Sequence, residues 1–496
     1  MSLALTYHAA TKYAPDTIGG HPGLDWSVQP ESFKEYDPAA AIDLSRFLPF
    51  DPNPFTGEPA GPDAALTGGG VDLVTLARLV YATYGVTGLI RGQRPTFLRA
   101  APSAGGLYPA ELYVVVRDWP GLAPGLYGYH PRLHALIPLW EGAEVATHLA
   151  AACYGDAEVA GAPASLVITG VFERSRWRYR ERAYRRICLD TGHLLGNALL
   201  AAHALGLRAH LTTAFHDNAL DALLRIDQDQ EGTLAVLALD APGEVRRPRW
   251  MALPSATGSA DAAPLLEVLH AGSRLPAARP RPAPTGDALE ADLHLRHGWS
   301  AAVPLPPGRT SLADEVLPAI AGRRSTRAFV NQAISAEALG RILAAGTGHP
   351  VAGLGPAPAL AAGHLRTFVV IHAVMGIEPG VYYLAPHGLD LRRVRPEVER
   401  EATRTLCLGQ ELGSDCAALV VHTADLGAAV RHGGDRAYRL LHLDAGMIGE
   451  RLDLAALAEG LGASGIGGFF DDQTTDLLGL PRDHAVLYLT TIGVPA

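Results

Sequence analysis

Lysine is almost missing from this chain. It occurs only at Lys12 and Lys34, so nearly all of the positive charge is arginine, which fits the coding bias of a G+C-rich genome. A formal net charge of −10 and a pI near 6.0 exclude the basic surface of a nucleic-acid or membrane-surface protein. Cysteine is scarce as well. Cys153, Cys188, Cys407 and Cys416 form no CxxC or other metal-ligand spacing, and read as thiols of a reducing compartment. No run of 18 apolar residues occurs, so no membrane span is expected, and Met1 to Pro15 lacks the apolar core of a signal peptide. His193, His203, His210 and His216 lack an HExxH-type spacing and read as helix and loop histidines, with no metal site expected. Gly68 to Gly70 has no strand leading into it, which argues against a dinucleotide loop. A bacterial-type cytoplasmic protein without nucleic-acid or membrane partners is the expectation.

What is present is length and hydrophobic residues. At 496 residues and 48% hydrophobic content, two to four domains with large cores are expected. Residues 1–65 read as a loop-rich arm, with Asp25, Trp26, Phe33 and Tyr36 draped over a domain. A first domain follows at 66–250. Its helix over 73–84 places Leu76, Leu79, Val80 and Tyr84 on one face, and strands are predicted at 111–116, 125–129, 166–171 and 233–239. A long helix spans about 184–205, with Gly206 where a left-handed cap is expected. Residues 251–310 turn to alanine and proline, as at 277–284, and read as an extended linker. A second domain occupies 311–496.

The second domain repeats the first. Arg182-Ala183-Tyr184-Arg185 recurs as Arg436-Ala437-Tyr438-Arg439, and Leu189-Asp190-Thr191-Gly192 as Leu443-Asp444-Ala445-Gly446. Gly125-Leu126-Tyr127 recurs as Gly380-Val381-Tyr382, and Phe215 with Asp217 matches Phe470 with Asp472, one residue out of step. A fused duplication of this kind is expected to form an internal pseudo-dimer, with further oligomerisation open.

The copies differ in a complementary way. The second has Arg323-Arg324-Ser325-Thr326-Arg327 just ahead of a helix, and Gly465-Ile466-Gly467-Gly468 after its long helix. Arginine forks and helix-start N–H groups suit a phosphate, although such a segment alone could equally be a solvated basic turn. The first copy lacks both but has Pro102-Ser103-Ala104-Gly105-Gly106, whose small residues let backbone approach a planar ligand; the second has residues 355–363 there, without the serine. One composite site is expected, with the opposite one dead.

This combination resembles the flavin-dependent nitroreductase superfamily, an α+β fold in which two subunits share each FMN. The stretch Arg99 to Pro109 followed by Glu111-Leu112-Tyr113 is similar to its azoline dehydrogenase branch, here as two fused nitroreductase-like domains. The resemblance implies FMN as cofactor. Arg323, Arg324, Ser325 and Arg327 would grip its phosphate and ribityl chain, Pro102 to Gly106 would line the ring, and Gly465, Ile466, Gly467 and Gly468 would sit at the flavin edge. It implies oxidation of a thiazoline or oxazoline on a peptide or carrier-bound substrate, with molecular oxygen as acceptor. The branch's catalytic Lys-Tyr pair stands here as Arg178-Tyr179. A tyrosine beside cations is favoured as tyrosinate, which makes Tyr179 a base, whereas Arg178 keeps its proton and acts electrostatically. The segment can also be read as a solvated basic helix face. Two rivals remain at this level: an NAD(P)H-dependent nitro or quinone reductase of the same fold, and a flavin-free scaffold that binds a partner.

Overall fold

In a computed structural model, residues 2–18, 23–48, 71–91, 95–241, 264–278, 300–306, 315–347, 359–361, 363–385 and 388–496 are described. The glycine run at 68–70, most of the alanine–proline stretch, and residues 355–358 lie outside them.

The strands are β1 (Ile42–Asp43), β2 (Val86–Ile90), β3 (Thr96–Arg99), β4 (Ala110–Val116), β5 (Gly125–His130), β6 (Ala135–Glu141), β7 (Ala164–Val171), β8 (Arg208–Thr212) and β9 (Glu231–Asp240) in the first half. The second half adds β10 (Ala302–Pro304), β11 (Phe329–Val330), β12 (Leu365–Ile371), β13 (Gly380–Leu384), β14 (Asp390–Pro396), β15 (Ala418–Asp425), β16 (Gly462–Ile466) and β17 (His484–Pro495). They form two antiparallel sheets of one topology, β1-β6-β5-β4-β7-β9-β8 and β10-β14-β13-β12-β15-β17, with β11 and β16 both paired to β17. A separate hairpin joins β2 and β3. Even the irregularities repeat: the ladders shift register at Ile168/Thr169 and at His422/Thr423, and at Leu126/Tyr127 and Val381/Tyr382. The fold is α+β in two halves of one topology, as expected of a fused duplication.

Alternation along β4 explains the layers. Leu112, Val114 and Val116 enter the large core, while Tyr113 and Val115 face a smaller one. The large core is continuous through both halves, because the long helices Ala183–Ala204 and Arg436–Ala458 cross at its centre. A Cβ on Gly192 would land on the Leu443 carbonyl, and one on Gly446 on that of Leu189. The repeated glycine is therefore what lets two backbones touch. Gly206 (φ +71°) and Gly460 (φ +69°) end the two helices in the left-handed conformation.

Two buried ion triads lock the crossing. Arg182 and Arg185 each lie 2.7 Å from Asp471, and Arg436 and Arg439 lie 2.7 and 2.9 Å from Asp217, each triad spanning the two halves. Burial raises Asp471, but the two arginines outweigh it and hold the carboxyl below its usual range. Asp217 thus corresponds to Asp471, and Phe215 to Phe469, under Arg436 and Arg182 respectively. The one-residue slip expected at Phe470 and Asp472 does not occur.

The arm and the linker also differ from expectation, and for one reason. Residues 1–65 begin with the helix Leu3–Ala10, and the stretch read as an extended linker carries the helix Leu265–Gly272. These helices are copies. Arg182 donates to the Thr11 carbonyl (2.6 Å) and Arg436 to that of Ser273 (2.9 Å). Arg185 donates to Thr11 Oγ1 (2.8 Å) and Arg439 to Ser273 Oγ (2.6 Å). The N–H groups of Tyr13 and Leu275 donate to Asp471 (2.8 Å) and Asp217 (2.9 Å). Downstream, β1 and β10 then add to equivalent sheet edges. Each half of the repeat starts with its own helix and arm.

Candidate functional site

The first half supplies a loop and two helices. In the 102–106 loop, Gly105 (φ +66°) and Gly106 (φ +67°) turn left-handed. The Ser103 hydroxyl is committed within the fold: it donates to Asp190 (2.5 Å) and accepts from the Tyr108 N–H (2.8 Å), while the Ala104 N–H also meets Asp190 (3.2 Å). Burial pushes Asp190 up to about 6 against these bonds. The other half keeps this clamp without the serine, since Asp444 accepts from the N–H groups of Leu360 (2.8 Å) and Ala361 (2.7 Å). Burial raises Asp444 to about 7.

Tyr179 and Arg178 end the helix Phe172–Tyr179, and both press on Gly105. A Cβ there would sit 2.8 Å from Tyr179 Oη and 3.1 Å from Arg178 Cδ. The Arg186 guanidinium lies 5.0 Å from the Tyr179 ring centre. Burial raises the Tyr179 pKa, and the opposing pull of Arg186 and Arg178 does not overcome it. The expectation that neighbouring cations would favour tyrosinate is corrected here, because desolvation of the anion wins.

From the second half, the arginine segment lies against the first. Thr326 N–H donates to the Ala463 carbonyl (2.9 Å), fixing the segment along β16. The three arginines then part. Arg327 is exposed and Ser325 half-buried. Arg324 reaches across to Thr87, donating to its hydroxyl at 3.2 Å. Arg323 turns inward, donates to the Ala100 carbonyl (3.2 Å) and to Ser325 Oγ (3.4 Å), and faces Glu450 (3.7 Å) and Asp453 (3.9 Å). A Cβ on Gly465 would fall on Tyr488 Oη, and one on Gly467 on the Arg186 guanidinium. Ile466 is buried in the second half's core.

Sequence reasoning missed the polar cluster beneath. His193 Nδ1 lies 2.7 Å from Glu450 and Nε2 2.9 Å from Tyr488 Oη. With its amide turned so that oxygen meets a donor and nitrogen an acceptor, Asn197 donates to Glu450 (2.8 Å) and accepts from the Ala101 N–H (3.3 Å). His193, Glu450 and Asp453 bring ligand-type atoms within 4.8 Å of one another, and Arg323 places a cation against both carboxylates, offsetting part of their charge. Burial, then Glu450, raises Asp453 to about 6.

The residues fit a polar planar cofactor with an anionic tail. Thr490, paired with Gly465 in the ladder, and Arg186 each have a buried polar atom (Oγ1 and Nε) without a partner. Glycine backbone and these donors line one side, and exposed Arg327 stands on the same segment. Two open cavities among the described residues lie away from these groups. One of about 640 Å³ lies between Ser300 and Arg395, and one of about 420 Å³ under Lys34 and Glu231.

The nitroreductase family profile matches the chain twice, over residues 69–239 and 320–494. The chain belongs to the nitroreductase family. This tandem nitroreductase is 36% identical over 153 residues, 31% of its length, to MJ1384 of Methanocaldococcus jannaschii, assigned as a nitroreductase, and covers 74% of that protein. It is 33% identical over 149 residues to the trifolitoxin-processing protein TfxB of Rhizobium leguminosarum bv. trifolii, a match over 28% of this chain and 39% of TfxB. It is 31% identical over 158 residues to the microcin B17-processing protein McbC of Escherichia coli, over 30% of this chain and 54% of McbC. These matches bear out the likeness to the processing branch. A crystal structure of a protein from Anabaena variabilis, also assigned as a nitroreductase, covers the whole of both chains at 38% identity with a TM-score of 0.86. Among the described residues, no helix is long and apolar enough to cross a membrane.

Proposed function

We propose that this nitroreductase is an FMN-dependent dehydrogenase that oxidises an azoline, or a related ring, in a peptide natural product to its aromatic form. One composite site between the halves would do the work. The observation that carries the reading is the convergence at Gly105: Tyr179 and Arg178 touch the 102–106 loop, and Arg186 joins Tyr179 to Gly467 of the other half. Two relatives named as processing proteins of trifolitoxin and microcin B17 support a peptide substrate.

Arg327, Ser325 and the neighbouring backbone would hold the phosphate. Arg323 and Arg324 would act as struts to the first half, at Ala100 and Thr87. The 465–468 backbone, Arg186 and Thr490 would face the polar edge of the ring, and residues 102–106 its other side. When bound, FMN supplies a two-electron acceptor, which molecular oxygen would restore. Tyr179 would take the carbon-bound proton. Its raised pKa means that the competent fraction grows with pH, and Arg178 would stabilise the anion formed.

Incubating the purified protein in air with a synthetic thiazoline peptide tests this. The expected result is a yellow protein and a product lighter by two hydrogens. Unchanged peptide together with rapid flavin bleaching by NADPH alone would make it a reductase. A colourless protein that takes up no FMN would leave only the scaffold reading.

A further inference from the structure

The arm of the first half is pinned at both ends. Lys12 meets Asp472 (2.6 Å) and Lys34 meets Glu231 (2.6 Å), so both lysines of the chain serve as anchors, one on each half. Between them the Glu31 carbonyl accepts from Arg174 (2.8 Å), and the Asp25 carbonyl from Trp177 Nε1 (3.0 Å). This lays the arm along the helix that ends in Arg178 and Tyr179. Where they cross, Trp26 and Trp177 meet edge to face at 5.2 Å. Trp26 is 54% exposed and neighbouring Val28 62%, a large apolar surface to leave in water beside a candidate catalytic tyrosine.

The next residues add charge at a cost. Arg180 sits at φ +51°, ψ −133°, a region suited to glycine, and its counterpart in the other half is Gly434, at φ +61°, ψ −165°. Arginine there holds backbone strain that glycine would relieve. Trp177 likewise gives way to Arg431, and Tyr179 to Gly433, at the opposite face. Among the described residues, the Trp26–Trp177 pair and the strained Arg180 therefore stand beside Tyr179 and have no counterpart at the other face. In a chain of net charge −10, exposed Arg178 and Arg180 make a local basic edge.

We propose that Trp26, Trp177 and Arg180 form a ledge that binds the peptide segment flanking the reacting ring, with an apolar or aromatic residue on the tryptophans and a carboxylate on Arg180. The idea rests on the dehydrogenase reading for its substrate class but is tested by binding alone.

The probe is a fluorescein-labelled peptide carrying a thiazole, which cannot be oxidised further, flanked by Phe and Asp; a second probe carries Gly and Lys there. Anisotropy gives each Kd. Truncating an aromatic anchor of this kind costs on the order of tenfold, so Trp26→Ala should weaken the Phe/Asp probe by about that factor, leaving the Gly/Lys probe and FMN content unchanged. Arg180→Gly should weaken the Phe/Asp probe while leaving the Gly/Lys probe and FMN content unchanged, a selectivity that misfolding cannot produce. Wild-type affinity in both variants overturns the ledge. So does a Trp26→Ala variant that dissociates a dimer of this chain while binding peptide normally. Trp26-dependent binding without oxidation of the matching thiazoline peptide would support the ledge and remove the dehydrogenase reading.

Discussion

The two faces of the internal pseudo-dimer share a frame and differ in chemistry. Both keep the arginine–aspartate triad, the touching glycine and the aspartate under the first loop. On the long helices, His193, Glu450, Asn197, Asp453 and Arg186 line one face, and their counterparts at the other are Met447, Gly196, Arg451, Leu199 and Leu440. On the last strand, Tyr488 corresponds by ladder register to Ala235, because Leu489 pairs with Val421 where Val236 pairs with Val167. What both faces retain is what the fold needs to close. What only one retains is a connected set of hydrogen-bonding groups in low dielectric, costly to keep unless a ligand uses it.

The triads should respond alike. Asp471→Ala and Asp217→Ala each strand two buried arginines and should destabilise by about 3–5 kcal/mol in urea unfolding. A large loss at one and none at the other would break the symmetry of the frame.

The faces should then separate in activity. Tyr179→Phe should lower kcat by at least about 10²-fold, within the range for removing a positioned proton acceptor. His432→Ala, at the counterpart of Arg178, should leave it unchanged. Below its raised pKa, tyrosinate grows about tenfold per pH unit, so wild-type kcat/KM should climb on the alkaline side. A flat profile would remove Tyr179 as base.

Cofactor retention gives a smaller contrast. Arg327→Ala should weaken FMN binding about tenfold or more, the scale of a lost charge-assisted bond, whereas Arg46→Ala, in the first arm, should not change it. Equal loss would sink the single grip.

The smallest contrast lies between the two loop-clamping aspartates. An acid whose folded pKa stands above its unfolded value holds more protons when folded, so stability falls as pH rises between the two. With Asp444 raised to about 7, that window runs from about pH 4 to 7, and Asp444→Asn should flatten the fall by up to about 1.4 kcal/mol per pH unit. Asp190→Asn should act over a narrower window ending near 6.

Much of the frame was legible because local patterns dictate it. The long helices, their glycine ends and the alternating strands follow from period and caps, and the Arg-Ala-Tyr-Arg repeat exposed the duplication. The repeated first helix escaped notice. His8-Ala9-Ala10-Thr11 and His270-Ala271-Gly272-Ser273 share few letters and stand 262 positions apart (8 to 270), not the 254 of the body (182 to 436). Only their common hold on the arginine triads shows the kinship. The polar cluster was hidden by distance: His193 meets partners 257 and 295 residues away, and alone it reads as a helix histidine. Tyr179 was read by its charged neighbours, when its burial decides its protonation.

The central claim is one working face per chain, and counting flavin tests it most directly. After reconstitution with excess FMN and desalting, flavin absorbance against chain concentration should give one FMN per chain. Two per chain, with both lost together on Arg327→Ala, would contradict the account.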